Sequence, residues 1–254
     1  MSATAIVLAG ERPGVDPLAA HFGGTVKALV PLAGESMVRR PVKALLASPS
    51  IAQVVVLAQK DGPVRKALDG LDRVEVSESR ATIADTMLAL CNDPATAWPL
   101  LVTTADHALL DPGMVEEFCA RAEGADIAIG VVQKRRLLER LPGSNRTWLG
   151  FRGEAVTGAN LFWLASPKVG QAVELWRSVE QDRKSAWRLL ALLGPVWLAM
   201  AAMRLAGLDD LVARLSVRLG LKVRIVRLTN PLAGVDVDSV ADHALAEAII
   251  EGRA

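Results

Sequence analysis

The chain has 254 residues, 51% of them hydrophobic and 22% charged, with 29 Lys and Arg against 28 Asp and Glu. That length and composition exclude a disordered chain and suffice for a core without staples. Cys91 and Cys119 lie far apart, with no CxxC spacing and no neighbouring His. A disulfide scaffold or zinc site is therefore not expected, and a reducing cytoplasmic setting is. Met1–Ala9 lacks a basic start, and its apolar run breaks at Gly10-Glu11-Arg12, so no secretory signal is read there.

Thr4–Ala9 is a short apolar, β-rich run that ends in glycine and reads as a buried strand feeding a loop. Helical spacing follows over Ser36–Ala47, with the start expected near Pro41. Gln53–Ala58, Val74–Val76 and Leu100–Thr104 read as further strands, and Ile83–Cys91 as a helix. Asp111-Pro112 predicts an N-cap and first helical residue, with the helix running to about Arg121. Asp126–Val132, Thr147–Arg152, Ala159–Leu164 and Val223–Leu228 are predicted strands, and Pro167–Val179 a helix. Ser239–Glu251 closes the chain as a helix capped by Ser239, with Asp242 placed as in a capping box. Strands alternating with helices imply βαβ units, a mainly parallel sheet and ligands beyond the carboxyl ends of the strands. No repeat or linker is evident, so residues 1–254 are expected to form one domain.

Three segments are candidates for chemistry. The loop after the first strand holds Gly10, Gly14, Gly23 and Gly24, with Arg12 and Lys27 as cations that would suit a polyphosphate. An ordinary surface loop explains the glycines equally well, and neither a Walker loop nor GxGxxG is present. Asp106, just past the strand Leu100–Thr104, sits where a Mg²⁺ carboxylate would sit, or caps a turn. Asp236 and Asp238 share one side of an extended segment and need a cation between them, which a metal, an arginine or the following helix N-terminus would supply. His107 reads more readily as a hydrogen-bonded structural residue than as a reacting group.

Taken in order, these segments resemble the nucleotidyltransferases of the molybdenum-cofactor guanylyltransferase and sugar-phosphate nucleotidyltransferase superfamily. Leu8-Ala9-Gly10-Glu11-Arg12, the run from Lys27 to Met37, Val102–Asp106 and Asp236–Asp242 carry the resemblance. The fold it implies is a three-layer α/β, Rossmann-like nucleotide-binding domain with a mixed, mainly parallel sheet. It implies that Leu8, Ala9 and Gly10 contact the nucleotide and that Arg12 and Lys27 hold its phosphates. Asp106 and Asp238, with Asp236 less firmly, would hold Mg²⁺. Ser79, Thr82 and Asp85 would face the nucleobase, and Gly158 and Asn160 the acceptor. The implied reaction transfers an NMP from an NTP to a phosphorylated small-molecule or lipid-pathway acceptor, releasing pyrophosphate. A glycosyltransferase with a nucleotide-sugar donor, and a non-catalytic nucleotide-binding module, are the alternatives. One departure is the long first loop; another is an added segment at about 183–220, which the compact members lack.

That segment is also where the charge gathers. Residues 183–227 hold nine Lys and Arg against Asp209 and Asp210, leaving 20 basic and 26 acidic residues elsewhere. Leu189–Met203 carries no charge but is interrupted by Gly194-Pro195, and it is shorter than the roughly 20 apolar residues of a membrane span. Asp209–Leu219 follows with an apolar helical face and Arg214 and Arg218 beside it. Helices packed on the sheet, a homodimer interface, and a pair resting on anionic lipid with Trp187 and Trp197 at headgroup depth are the three readings. Nucleic acid is not expected, because the basic residues interleave with aliphatic ones and no reader motif occurs.

Overall fold

The computed structural model describes residues 2–10, 14–59, 61–80, 82–181, 200, 203 and 205–254. Ten strands run in chain order: β1 Ala3–Leu8, β2 Pro31–Leu32, β3 Glu35–Ser36, β4 Ile51–Ala58, β5 Val74–Glu78, β6 Leu100–Thr104, β7 Ile127–Gln133, β8 Leu149–Phe151, β9 Glu154–Leu164 and β10 Val223–Arg227. The helices among the described residues are α1 Pro17–His21, α2 Arg39–Leu46, α3 Asp61–Ala67, α4 Ile83–Asn92, α5 Pro112–Ala122, α6 Lys134–Arg140, α7 Gly170–Gln181, α8 Leu208–Leu219 and α9 Val240–Ile250.

Eight strands form one sheet in the order β10-β7-β9-β6-β1-β4-β5, with β8 paired to β9, while β2 and β3 form a separate hairpin. The pairs β1/β4, β4/β5, β1/β6 and β10/β7 are parallel. β9 runs against both β6 and β7, so the sheet is mixed. From β1 the chain builds outward through β4 and β5, then returns to lay β6 on the other side of β1. That reversal leaves a crevice at the carboxyl ends of β1 and β6, where open α/β sheets bind ligands.

Alternation along β1 fixes the layers. Ala5 and Val7 join the larger core with α2 and α5, whereas Ile6 faces Met87 of α4 and Val173 of α7. α5 starts as its sequence predicts: the Asp111 carboxylate accepts the Met114 N–H at 2.8 Å, with Pro112 at the first position. Its Met114, Val115, Phe118, Cys119 and Ala122 form the buried stripe. Burial, and then the Glu116 charge, push the Cys119 thiol up to about 12, and both cysteines are free. A third cluster of Val131, Val156 and Leu208 docks α8 on the sheet.

Several boundaries differ from the sequence reading. α2 begins at Arg39, ahead of Pro41, and β9 starts at Glu154, five residues before Ala159. The added segment is described as a helix from Leu208 onward; Arg183, Lys184, Trp187, Arg188, Trp197 and Arg204, with most of Leu189–Met203, lie outside the described residues. Among the described residues no helix is long and apolar enough to cross a membrane.

Gly234 ends a 3₁₀ turn, Pro231–Gly234, just before the acidic segment. A Cβ there would lie 2.9 Å from Thr157 Cγ2, 3.0 Å from Leu137 Cδ1 and 3.2 Å from Val132 Cβ. Gly234→Ala should therefore cost about 1–3 kcal/mol through overpacking. Denaturant unfolding would show it, and an unchanged midpoint would mean that the neighbours yield freely.

Candidate active site

A cleft of about 610 Å³ opens at the reversal point. Leu8 and Gly10 line it from the end of β1, Thr104 and Asp106 from the end of β6, and Gln59, Ser79, Arg80 and Thr82 from the ends of β4 and β5. Gly14–Pro17, Thr25, Lys27 and Asp238 complete the wall. A Cβ on Gly10 would lie 3.7 Å from both the Gln59 amide nitrogen and the Ser79 hydroxyl, so Gly10 sits between them. The Ser79 hydroxyl is buried with no hydrogen-bond partner.

Lys27 opens a 3₁₀ turn, Lys27–Leu29, whose direction its apolar neighbours set. Ala28, Val30, Leu32, Met37 and Val38 are all buried. Met37 N–H donates to Val30 O and Val38 N–H to Ala28 O, each at 2.9 Å. Ala33 and Gly34, at φ 47° and 86°, turn β2 into β3; positive φ at both central residues is what a tight hairpin demands. The run from Lys27 to Met37 is thus an anchor that aims one ammonium into the cleft.

The Lys27 ammonium lies 2.6 Å from Asp106 Oδ2 and also donates to Asp238 Oδ1. Burial alone would pull the Lys27 pKa down, but the two carboxylates outweigh it and raise it. Asp106 Oδ1 accepts from the Thr104 hydroxyl at 2.5 Å. The Val237 N–H donates to Asp106 O at 3.0 Å, registering the acidic segment against β6. For Asp238, burial raises the pKa, yet Lys27 holds it below the ordinary carboxylate range. Asp236 moves the other way: burial, then the Asp238 charge, raise it despite Arg146.

Arg146, in the loop between α6 and β8, donates from Nη1 to Asp236 Oδ1 and, at 3.1 Å, to Asp236 O; Nη2 donates to Asp242 Oδ1 at 2.7 Å. Asp242 in turn completes the capping box with Ser239 at the start of α9.

The cleft brings together Leu8, Gly10, Lys27, Ser79, Thr82, Asp106 and Asp238. Ala9 is buried behind it, its N–H donating to Leu57 O. Thr82 caps α4, and Asp85, one turn on, pairs with Arg177 at 2.7 Å. Gly158 and Asn160 sit on β9, where residues 159–161 bulge opposite Gly130, and do not line the cleft. Asn160 takes φ 46° there. Arg12 lies outside the described residues. Gln59, Thr25, Arg80 and Arg146 were not singled out by the sequence; no spacing or composition marks them.

His107 is 1% exposed, with Nδ1 3.2 Å from the Thr103 hydroxyl. Burial, against the opposing Asp106 charge, lowers its pKa from 6.5 to about 4, so it stays neutral in the folded protein. The unfolded chain binds a proton first, so this contribution is complete above about pH 6.5 and fades as pH falls toward 4. The ligand-free protein should lose about 3 kcal/mol over that window, and His107→Leu should flatten the slope. Denaturant unfolding at several pH values measures it; an equally steep slope in the variant would refute the assignment.

A crevice at a sheet reversal, headed by a lysine between two aspartates, is the ligand-binding position of an open α/β sheet. The chain belongs to the MobA-like NTP transferase domain family, whose model matches residues 5–209. A structure described as a hypothetical transferase from Thermus thermophilus is similar over 96% of this chain and all of its own, at 28% identity and a TM-score of 0.79. CMP:2-keto-3-deoxy-manno-octonic acid synthetase complexed with CTP shares the fold over the full length of both chains, at 12% identity and a TM-score of 0.63. So does a nucleotidyl transferase from Methanothermobacter thermautotrophicus, over 99% of this chain and 98% of its own, at 18% identity and 0.58. No curated protein matches the sequence.

Proposed function

We propose that the protein transfers a nucleoside monophosphate from an NTP to a phosphomonoester, with Mg²⁺ held by Asp106 and Asp238. The observation that carries this reading is the Lys27 ammonium between the two carboxylates at the head of the cleft. A site that gathers two acids around one internal cation has the charge and oxygen donors that Mg²⁺ takes. Among the described residues no three acidic, His or Cys side chains form a closed cage. Two carboxylates would leave the remaining positions to water and phosphate oxygens, the usual arrangement for Mg²⁺. Bound there, the ion would neutralise charge on the triphosphate.

The acceptor phosphate oxygen attacks the α-phosphorus, a new P–O bond forms, and the bond to the β-phosphate oxygen breaks to release pyrophosphate. Lys27, released from the carboxylates, supplies positive charge to the phosphates, and Gly10 lets the backbone approach them. The unpartnered Ser79 hydroxyl and the neighbouring Gln59 amide suit the edge of a nucleobase. No protein nucleophile is required, since phosphoryl transfer is largely positioning and charge stabilisation. The test is pyrophosphate release with each of the four NTPs and Mg²⁺ against phosphorylated sugars, polyols and lipid precursors. Release that needs both an NTP and one acceptor supports the reading; hydrolysis of a nucleotide sugar instead would favour the glycosyltransferase reading.

A further inference from the structure

Alternation puts Asp236 and Asp238 on one side of an extended segment, so both carboxylates compete for whatever cation lies there. Arg146 breaks that symmetry. Its side chain is only 10% exposed and is fixed at three points: Asp236 O, Asp236 Oδ1 and Asp242 Oδ1. Asp242 cannot follow a moving arginine, because its Oδ2 accepts the Ser239 N–H at 3.0 Å and the Ser239 hydroxyl at 2.6 Å. A planar guanidinium with a rigid fork of donors is suited to holding two such partners at once. Asp238 lies between the two clamped residues in sequence and makes no hydrogen bond to Arg146; its carboxylate adjoins that of Asp236, but its ion pair is with Lys27 beside Asp106.

We propose that Arg146 is a positioning residue that withholds Asp236 from the cation site, so that Asp238 and not Asp236 joins Asp106 there. This rests on the metal-assisted reading above. A clasp that merely stabilised the fold would also bury Arg146 between carboxylates, so the deciding readout is which acids touch the ion.

Tb³⁺, a hard oxygen-seeking probe, reports its bound waters through luminescence decay in H₂O and D₂O, and each protein carboxylate displaces about one or two. In the intact protein without nucleotide, Asp238→Asn should raise the water count by at least about one, and Asp236→Asn should leave it unchanged. Arg146→Gln should lower the count by about one as Asp236 enters, and adding Asp236→Asn should restore it. Pyrophosphate release should fall in Arg146→Gln and recover partly in Arg146→Lys, which keeps the charge but not the fork. A rise in the water count of Asp236→Asn, a measurement that leaves Arg146 intact, would overturn the proposal. Failure of the wild-type protein to bind Tb³⁺, or counts indifferent to both Asp106→Asn and Asp238→Asn, would instead overturn the metal site itself, and the proposal with it.

Discussion

Asp106→Asn should reduce pyrophosphate release by about a thousandfold or more, because a single lost charge at a metal and phosphate site costs several factors of ten. The amide keeps the size of the side chain and can still meet the Thr104 hydroxyl, so the loss would be electrostatic and not a collapse of the β6 end. Lys27 retains Asp238 as a partner in the variant. A stopped-time pyrophosphate assay, with the unfolding midpoint as control, measures the effect. Activity within a few-fold of wild type, in a folded protein, would remove Asp106 from the chemistry.

Lys27→Met should produce the second large change, in two directions at once. Pyrophosphate release should fall by about a hundredfold to a thousandfold, as when a preorganised charge-stabilising donor is removed. Affinity for Mn²⁺ without nucleotide should rise, because the ammonium that occupies the space between Asp106 and Asp238 is gone. Lys27 and Asp106 are each 21% exposed, whereas Asp238 is 59% exposed, so water screens the Asp238 contact more and Asp106 is the dominant partner. The raised Lys27 pKa means that its contribution to stability is complete below the unfolded value of 10.5 and is lost as pH rises through the folded one. The Asp238 shift has the opposite sense, contributing above 3.8 and fading as acid protonates it. Weaker Mn²⁺ binding by Lys27→Met would mean that the lysine organises the carboxylates instead of competing for them.

Much of the architecture follows from short-range patterning, and what escaped it escaped for physical reasons. Apolar runs mark β1, β4 and β6 because strands buried on both faces need no alternation. The direction of β9 is not written in its residues, since parallel and antiparallel neighbours bury the same side chains. α3 begins Asp61-Gly62-Pro63, which reads as a turn, and α6 is five charged residues and two leucines, of which only Leu137 is buried, which gives little periodic signal. In the site, Lys27 stands out between the buried Val26 and Ala28, and Asp106 stands out because it comes just past the strand β6 and the buried Ala105. Arg146 lies in a polar loop that resembles any solvated turn, and only the distant fold gives it carboxylates to hold.

The basic segment changes meaning in the same way. Arg224 donates to Arg121 O and Glu123 O at the end of α5, where a helix terminus favours a cation. Arg227 pairs with Glu154 at 2.6 Å and Asp209 at 3.0 Å, tying β10 to β9 and α8. Part of the charge that looked available to an external partner is spent within the fold.

The Val237–Asp106 backbone bond has a consequence for the order in which the protein comes into being. Asp238 and the Asp242 that steadies Arg146 leave the ribosome more than a hundred residues after Lys27 and Asp106. The sheet from β1 to β6 can take shape while synthesis continues, as growing chains fold from their N-terminal side. The pair of carboxylates around Lys27 cannot. A nascent chain stalled before residue 236 would hold Lys27 and Asp106 without Asp238, so that pair is completed only after every strand of the sheet has been made.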